Sequence, residues 1–311
     1  MLRSRLLGLA LLCPLALSQA TAQTKLQTLA QRLGYAADAK LLIIHADDLA
    51  VSHAQDSASF TALDRHAASA ASVMAPCPWL TEVAEYAKAH PSADLGLHLT
   101  LTSEWRSYRW GPAASRNEVP GLLGPDGNFW PDVPFVAQHA TAAEVETEIR
   151  AQIERALKAG IHPTHLDSHM GTLFIPAYFP VYVKVAREYR LPFLAARPQG
   201  APASLLALLK DTDILPDSIA IASEAVKPEN WVQYYLGIVR GLKPGLTELI
   251  VHLAYDNAEM QAVTAGHPAY GSAWRQRDFD AITGPEFRQA LKENHVTVVG
   301  WKAIKELTQA K

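Results

Sequence analysis

Lys40-Leu41-Leu42-Ile43-Ile44-His45-Ala46-Asp47-Asp48 opens on a cation, runs through a short apolar segment and ends in two adjacent acids. An apolar run of this length predicts a strand buried on both faces, as in a parallel sheet covered by helices. Outward from it, strand and helix patterns alternate. Helices are predicted over 52–65, 79–90, 141–159, 176–189, 204–209, 228–242, 285–293 and 302–309. Further strands are predicted at 70–75, 95–101, 165–169, 193–196, 248–253 and 296–299. The helix from Thr141 has the sharpest start signal. Thr141 and Glu144 form a capping-box pair, and Gly160 stands where the helix should stop. Strands separated by helices throughout predict an α/β fold with a parallel sheet, here an incomplete or distorted (β/α) barrel. The segment from Trp105 to Pro134, rich in Gly, Pro and aromatics, reads as a long surface loop of the kind that often serves function.

Composition narrows the function classes. The net charge of −3 offers no electrostatic footprint for nucleic acid. Arg3 and Arg5, the apolar run Leu6 to Leu17 and the small residues Ala20 and Ala22 fit an export signal cleaved after Ala22. The expected division is therefore a signal peptide over 1–22, an N-terminal extension over 23–39 and a single domain over 40–311. Its location would be periplasmic or extracellular. Cleavage would leave Cys77 alone, which excludes an internal disulfide and cysteine-rich metal sites. No stretch of the remaining chain approaches the roughly 20 apolar residues of a membrane span. The oligomeric state stays open, with a homodimer as one option.

The chemistry gathers at strand ends, where a β/α barrel places its active site. Asp47 and Asp48 repel each other and lose solvation after a buried strand, a cost that a cation would offset. Either could instead cap the helix that follows. His98 sits between Leu97 and Leu99, as a satisfied core histidine also would. His165, Asp167 and His169 follow a period of two and share one face of a strand. Such a group is costly to bury without a partner. His252 ends a later apolar strand. An aspartate and two histidines with room for water make an open catalytic metal site, compatible with zinc and other divalent ions.

The segments Leu42-Ile-Ile-His-Ala-Asp-Asp-Leu49, Leu95-Gly-Leu-His-Leu-Thr-Leu-Thr102 and His162-Pro-Thr-His-Leu-Asp-Ser-His169, in this order, resemble the signature segments of the YdjC/ChbG-type carbohydrate deacetylases. The resemblance implies a fold like that of the NodB-type polysaccharide deacetylases and hydrolysis of acetamido groups on sugars. It also implies one divalent metal ion, magnesium or zinc, held by Asp48, His98 and His169, with Asp47 as base and His252 as acid. The chain departs from the family pattern at Leu49-Ala50, at Met170-Gly171, at Leu253 and at His45, where an Asn is often found. His165 and Asp167 would support the ligands or the acid, and Arg197 would meet substrate or a surface acid. Trp105, Tyr108, Trp110, Phe129 and Trp130 would either stack on sugar rings or pack the loop. The expected partner is an acetylated sugar or oligosaccharide. The alternatives are a metallo-hydrolase of another amide or ester, and a secreted carbohydrate-binding protein without catalysis.

Overall fold

The structure, a computed structural model, describes residues 28–195, 203–210 and 213–309. Among the described residues seven strands form one sheet: β1 (Lys40–Leu49), β2 (Ala70–Val73), β3 (Leu95–Leu99), β4 (Leu166–Ser168), β5 (Ser218–Ile221), β6 (Gly245–His252) and β7 (Val296–Val298). The order is β4-β3-β2-β1-β6-β5, with β7 beside the start of β1, and every pairing is parallel. Among the described residues the path does not close, so the architecture is a curled, incomplete β/α barrel, as the alternating pattern predicted. β1 is central because its apolar residues have no exposed face. Leu42 and Ile44 pack on one side of the sheet, Leu41 and Ile43 on the other. Burying each such side chain contributes about 1.5–3 kcal/mol, enough to fix this strand in the middle.

Parallel strands bring all their carboxyl ends to one rim. Asp47 pairs across to His252 of β6, and His98 of β3 pairs across to Asp167 of β4. The helix Ala142–Lys158 forms the predicted capping box and packs behind β3. From that helix Gln152 holds the backbone of Thr100, and Glu148 accepts the amides of Ala113 and Ala114. Both are buried polar groups whose partners are loop backbone, so the helix ties down the segment after β3.

That segment differs from the expected open loop. It contains a 3₁₀ turn, Pro120–Leu122, and ends in the helix Val133–His139. Trp105, Trp110 and Phe129 are buried, with Trp105 and Trp110 edge to face at 5.5 Å. These three aromatics pack the loop, so sugar stacking by them is ruled out as a surface role. Of the strand expected at 193–196, the described residues 193–195 show a single bridge from Phe193 to Leu166. β5 and the helix Ser272–Thr283 were not anticipated. The expected cleavage after Ala22 and the expected role of Arg197 fall outside the described residues. Among the described residues no helix is long and apolar enough to cross a membrane.

Candidate metal centre

The end of β1 is bent out of regular strand geometry. Its register with β2 shifts between Ala46 and Leu49, and Asp48 and Ala50 have φ of 70° and 77°. Left-handed backbone at non-glycine residues costs on the order of 1–2 kcal/mol each. The Asp56 carboxylate, accepting the Ala50 amide at 2.7 Å, helps to hold the bend. The result is that two adjacent carboxylates, which would face opposite ways in a flat strand, reach the same rim.

His98 Nε2 and His169 Nδ1 each lie 3.2 Å from Asp48 Oδ1. That oxygen is buried and has no hydrogen-bond partner. The other nitrogen of each ring is engaged elsewhere: His98 Nδ1 with Asp167 Oδ1 at 2.8 Å, His169 Nε2 with Glu104 Oε2 at 3.0 Å. A carboxylate only accepts, so each ring in its neutral form donates there and turns a lone pair toward Asp48. The second oxygen of Asp48 accepts from Arg275 Nη2 at 2.8 Å. Three lone-pair donors within 4.8 Å of one another, each backed by an outer partner, fit a single divalent cation.

The electrostatics agree with a place for positive charge. Burial alone would raise the Asp48 carboxyl, but the Arg275 guanidinium and both imidazoles hold it well below the usual range. Burial opposes a charge on His169, yet Glu104 and Asp48 prevail and push it up to about 9. His98 is likewise driven well up against burial, by Asp167 and Asp47 first. Without a cation the cluster draws protons; a divalent ion would take their place.

Asp47 stands beside this cluster with no lysine or arginine at ion-pair distance among the described residues. Burial pushes its carboxyl up to about 7, with His98 and His45 pulling the other way. His252 Nε2 lies 4.0 Å from Asp47 Oδ2 and 3.9 Å from Asp48 Oδ2. Burial is the main cause that lowers this ring to about 3, so it rests neutral. The structure thus brings Asp47, Asp48, His98, His169 and His252 to one rim, with Asp167 directly behind His98. His165 touches none of the three clustered residues and lies deeper, against His45.

Four nearby residues have no site role in the sequence reading. Glu104 lies in the segment read as loop. Arg275 and Asp278 come from the unanticipated helix. Arg275 spans Asp48, Gln55 and the Tyr270 carbonyl. Asp278 accepts from Trp231, Tyr235 and the His252 amide, which fixes the end of β6. Glu248 shares the face of β6 with His252, four residues on. That period-two pairing of acid and histidine was a readable signal.

The site is thus an Asp-His-His cluster with a second carboxylate beside it, set at the carboxyl rim of a parallel half-barrel. Residues 41–293 match the model of the YdjC-like protein family, and the chain belongs to that family. The chain is 34% identical over 285 residues to a carbohydrate deacetylase of Thermus thermophilus, covering 89% of this chain and 98% of that one. A carbohydrate deacetylase of Thermoanaerobacter pseudethanolicus is 24% identical, covering 86% of this chain and all of its own length. Among solved structures, one from Enterococcus faecalis, proposed there to be a cellobiose-phosphate cleavage protein, superposes with a TM-score of 0.73 at 26% identity. That match covers 86% of this chain and 99% of the other.

Proposed function

We propose that this protein hydrolyses the acetamido group of an N-acetylated sugar or oligosaccharide, using one divalent metal ion held by Asp48, His98 and His169. The observation that carries this reading is the convergence of those three donors beside a carboxylate, Asp47, that has no other assignment. The two imidazoles favour zinc, while the carboxylate and water positions admit magnesium. When bound, the ion would polarise the acetyl carbonyl and offset the charge that develops on its oxygen.

The rest of the chemistry belongs to the chain. Asp47, lifted toward neutrality, suits a general base that takes a proton from water as the water oxygen bonds to the acetyl carbon. Breaking the carbon–nitrogen bond then requires a proton on the sugar nitrogen. His252 rests neutral, so it acts as the acid only after receiving a proton within the cycle, and Asp47 is the neighbour that can supply it. Arg275 and Asp167 orient Asp48 and His98. Export of the protein, supported by the amino-terminal charge and apolar run, would put the substrate outside the cytoplasm.

Acetate release from a panel of N-acetylated sugars, simple amides and acetate esters tests the reading, with and without chelator. Release from sugars should stop on metal removal and return on adding magnesium or zinc. Asp48→Asn should bind metal weakly and turn over about 10²–10³-fold more slowly. Chelator-resistant turnover, or an Asp48→Asn variant as active as the parent, refutes the assignment. Turnover of amides or esters alone would redirect it to another hydrolase.

A further inference from the structure

Beneath the rim, within the curl of the sheet, a line of polar side chains runs toward the opposite end of the strands. It starts at Asp94, just before β3. One Asp94 oxygen accepts the Lys302 amide at 2.7 Å, and the other accepts the Thr164 hydroxyl. The single Thr164 proton is thereby committed, and its oxygen offers only a lone pair to His165 Nδ1, 2.9 Å away. His165 Nδ1 must carry a proton. The ring is fully buried, and burial, reinforced by neighbouring His45, holds it well below the usual histidine range. It is therefore neutral, and its Nε2 is bare. That bare nitrogen lies 3.0 Å from His45 Nε2, a contact that requires the proton on His45.

His45 Nδ1 faces carboxylates only: Glu248 Oε1 at 2.9 Å, Asp47 Oδ1 at 3.2 Å and Asp167 Oδ2 at 3.6 Å, aimed squarely at none. With these carboxylates ionised, as Asp47 must be to act as a base, they accept and do not donate. This nitrogen needs a proton too. We infer that the line Asp94–Thr164–His165 locks His45 as a buried imidazolium, and that this cation is a positioning residue for Asp47 and Asp167.

The surroundings are shaped for it. A Cβ at Gly96 would run into the His165 ring, so glycine there leaves the ring its place. Trp301 stacks on the other side of the ring at 5.0 Å and donates its Nε1 proton to Glu248 at 3.1 Å. Among the described residues, the ion-pair neighbours of Asp47, Asp167 and Glu248 are all histidines. With His98 turned to a metal ion through its lone pair, a neutral His45 would leave three buried carboxylates with no cationic side chain. Burial works against the charge on His45, but those carboxylates outweigh it and push the ring up to about 9.

The effect on turnover rests on the deacetylase reading; the protonation state does not. Nitrogen NMR of the zinc-loaded full chain at neutral pH should show both His45 ring nitrogens protonated. Thr164→Val keeps the shape but removes the acceptor for His165 Nδ1. The His165 proton should then move to Nε2, and His45 should lose its own Nε2 proton and its charge. In this variant kcat should fall about 10-fold to 100-fold, the effect of losing an outer partner. KM and zinc affinity should stay as they were. Thr164→Ser, which keeps the hydroxyl, should restore both the NMR signature and kcat. A singly protonated His45 in the parent protein overturns the inference, as does an imidazolium that persists in Thr164→Val. If the parent releases no acetate from any sugar, the deacetylase reading fails while the NMR result still decides the charge on His45.

Discussion

At the rim, the His98 and His169 rings each engage an outer carboxylate with one nitrogen and turn the other toward Asp48 Oδ1. A few residues deeper, the His45 and His165 rings turn toward each other, Nε2 to Nε2. His45, His165 and Asp167 also lie close enough together to hold an ion, as the rim cluster does. What separates the two groups is where protons must be. In the deeper group, the chain of donors from Thr164 leaves no free lone pair on His45. At the rim, the outer carboxylates take the donor side of each ring and leave lone pairs facing one point. Three donors in proximity do not by themselves make a metal site; the partners behind them decide it.

The largest effect that could break this contrast comes from Asp47, which touches both groups. Asp47→Asn keeps the size of the side chain and removes the proposed base. Acetate release should fall about 10²–10⁴-fold. Metal affinity should change little, because Asp47 is not among the three donors. Initial rates together with calorimetric metal titration check both halves. A variant that turns over at the parent rate places the base elsewhere and leaves Asp47 as structural charge.

A smaller effect should separate the layers more cleanly. Asp167→Asn weakens the partner behind His98, and metal affinity should drop about 10-fold to 100-fold. Glu248→Gln alters the deeper group, where Glu248 meets His45 and Trp301 but none of the three donors. Its metal affinity should match that of the parent. Equal losses in the two variants would mean that the rim and the deeper group act as one unit.

The readability of these groups from sequence followed the physics of each element. β1 was legible because a buried parallel strand must be apolar on both faces, and its terminal acids then stand out. The helix Ala142–Lys158 was legible from its capping residues and its one apolar face. The helix Ser272–Thr283 was not, because its buried side includes Ser272, Arg275 and Asp278 among the apolar residues. Apolar periodicity cannot reveal a helix whose inner face serves a polar site. Glu104 was hidden for a related reason: the segment carrying it is organised by Trp105, Trp110 and contacts from Glu148, none of which follow a regular period. The line through Asp94 and Thr164 depends on residues just before two strands pointing inward, and strand patterning does not extend to those positions.

The smallest effect concerns pH and again sets the rim against the deeper group. His45 and His169 are both raised from 6.5 to about 9 in the folded protein. A group raised on folding adds stability that is fully present below its unfolded value and is lost as pH rises through the folded value. The metal-free protein should therefore lose stability between about pH 6.5 and pH 9 through both groups. In the metal-loaded protein His98 and His169 hold the ion in place of protons, so their share of the slope should vanish. The share from His45 should remain, because no metal replaces its protons. Urea unfolding at the two ends of this window, with and without zinc, measures the difference. A flat response in the loaded protein would mean that His45 is neutral there, and that the carboxylates around it answer to the metal alone.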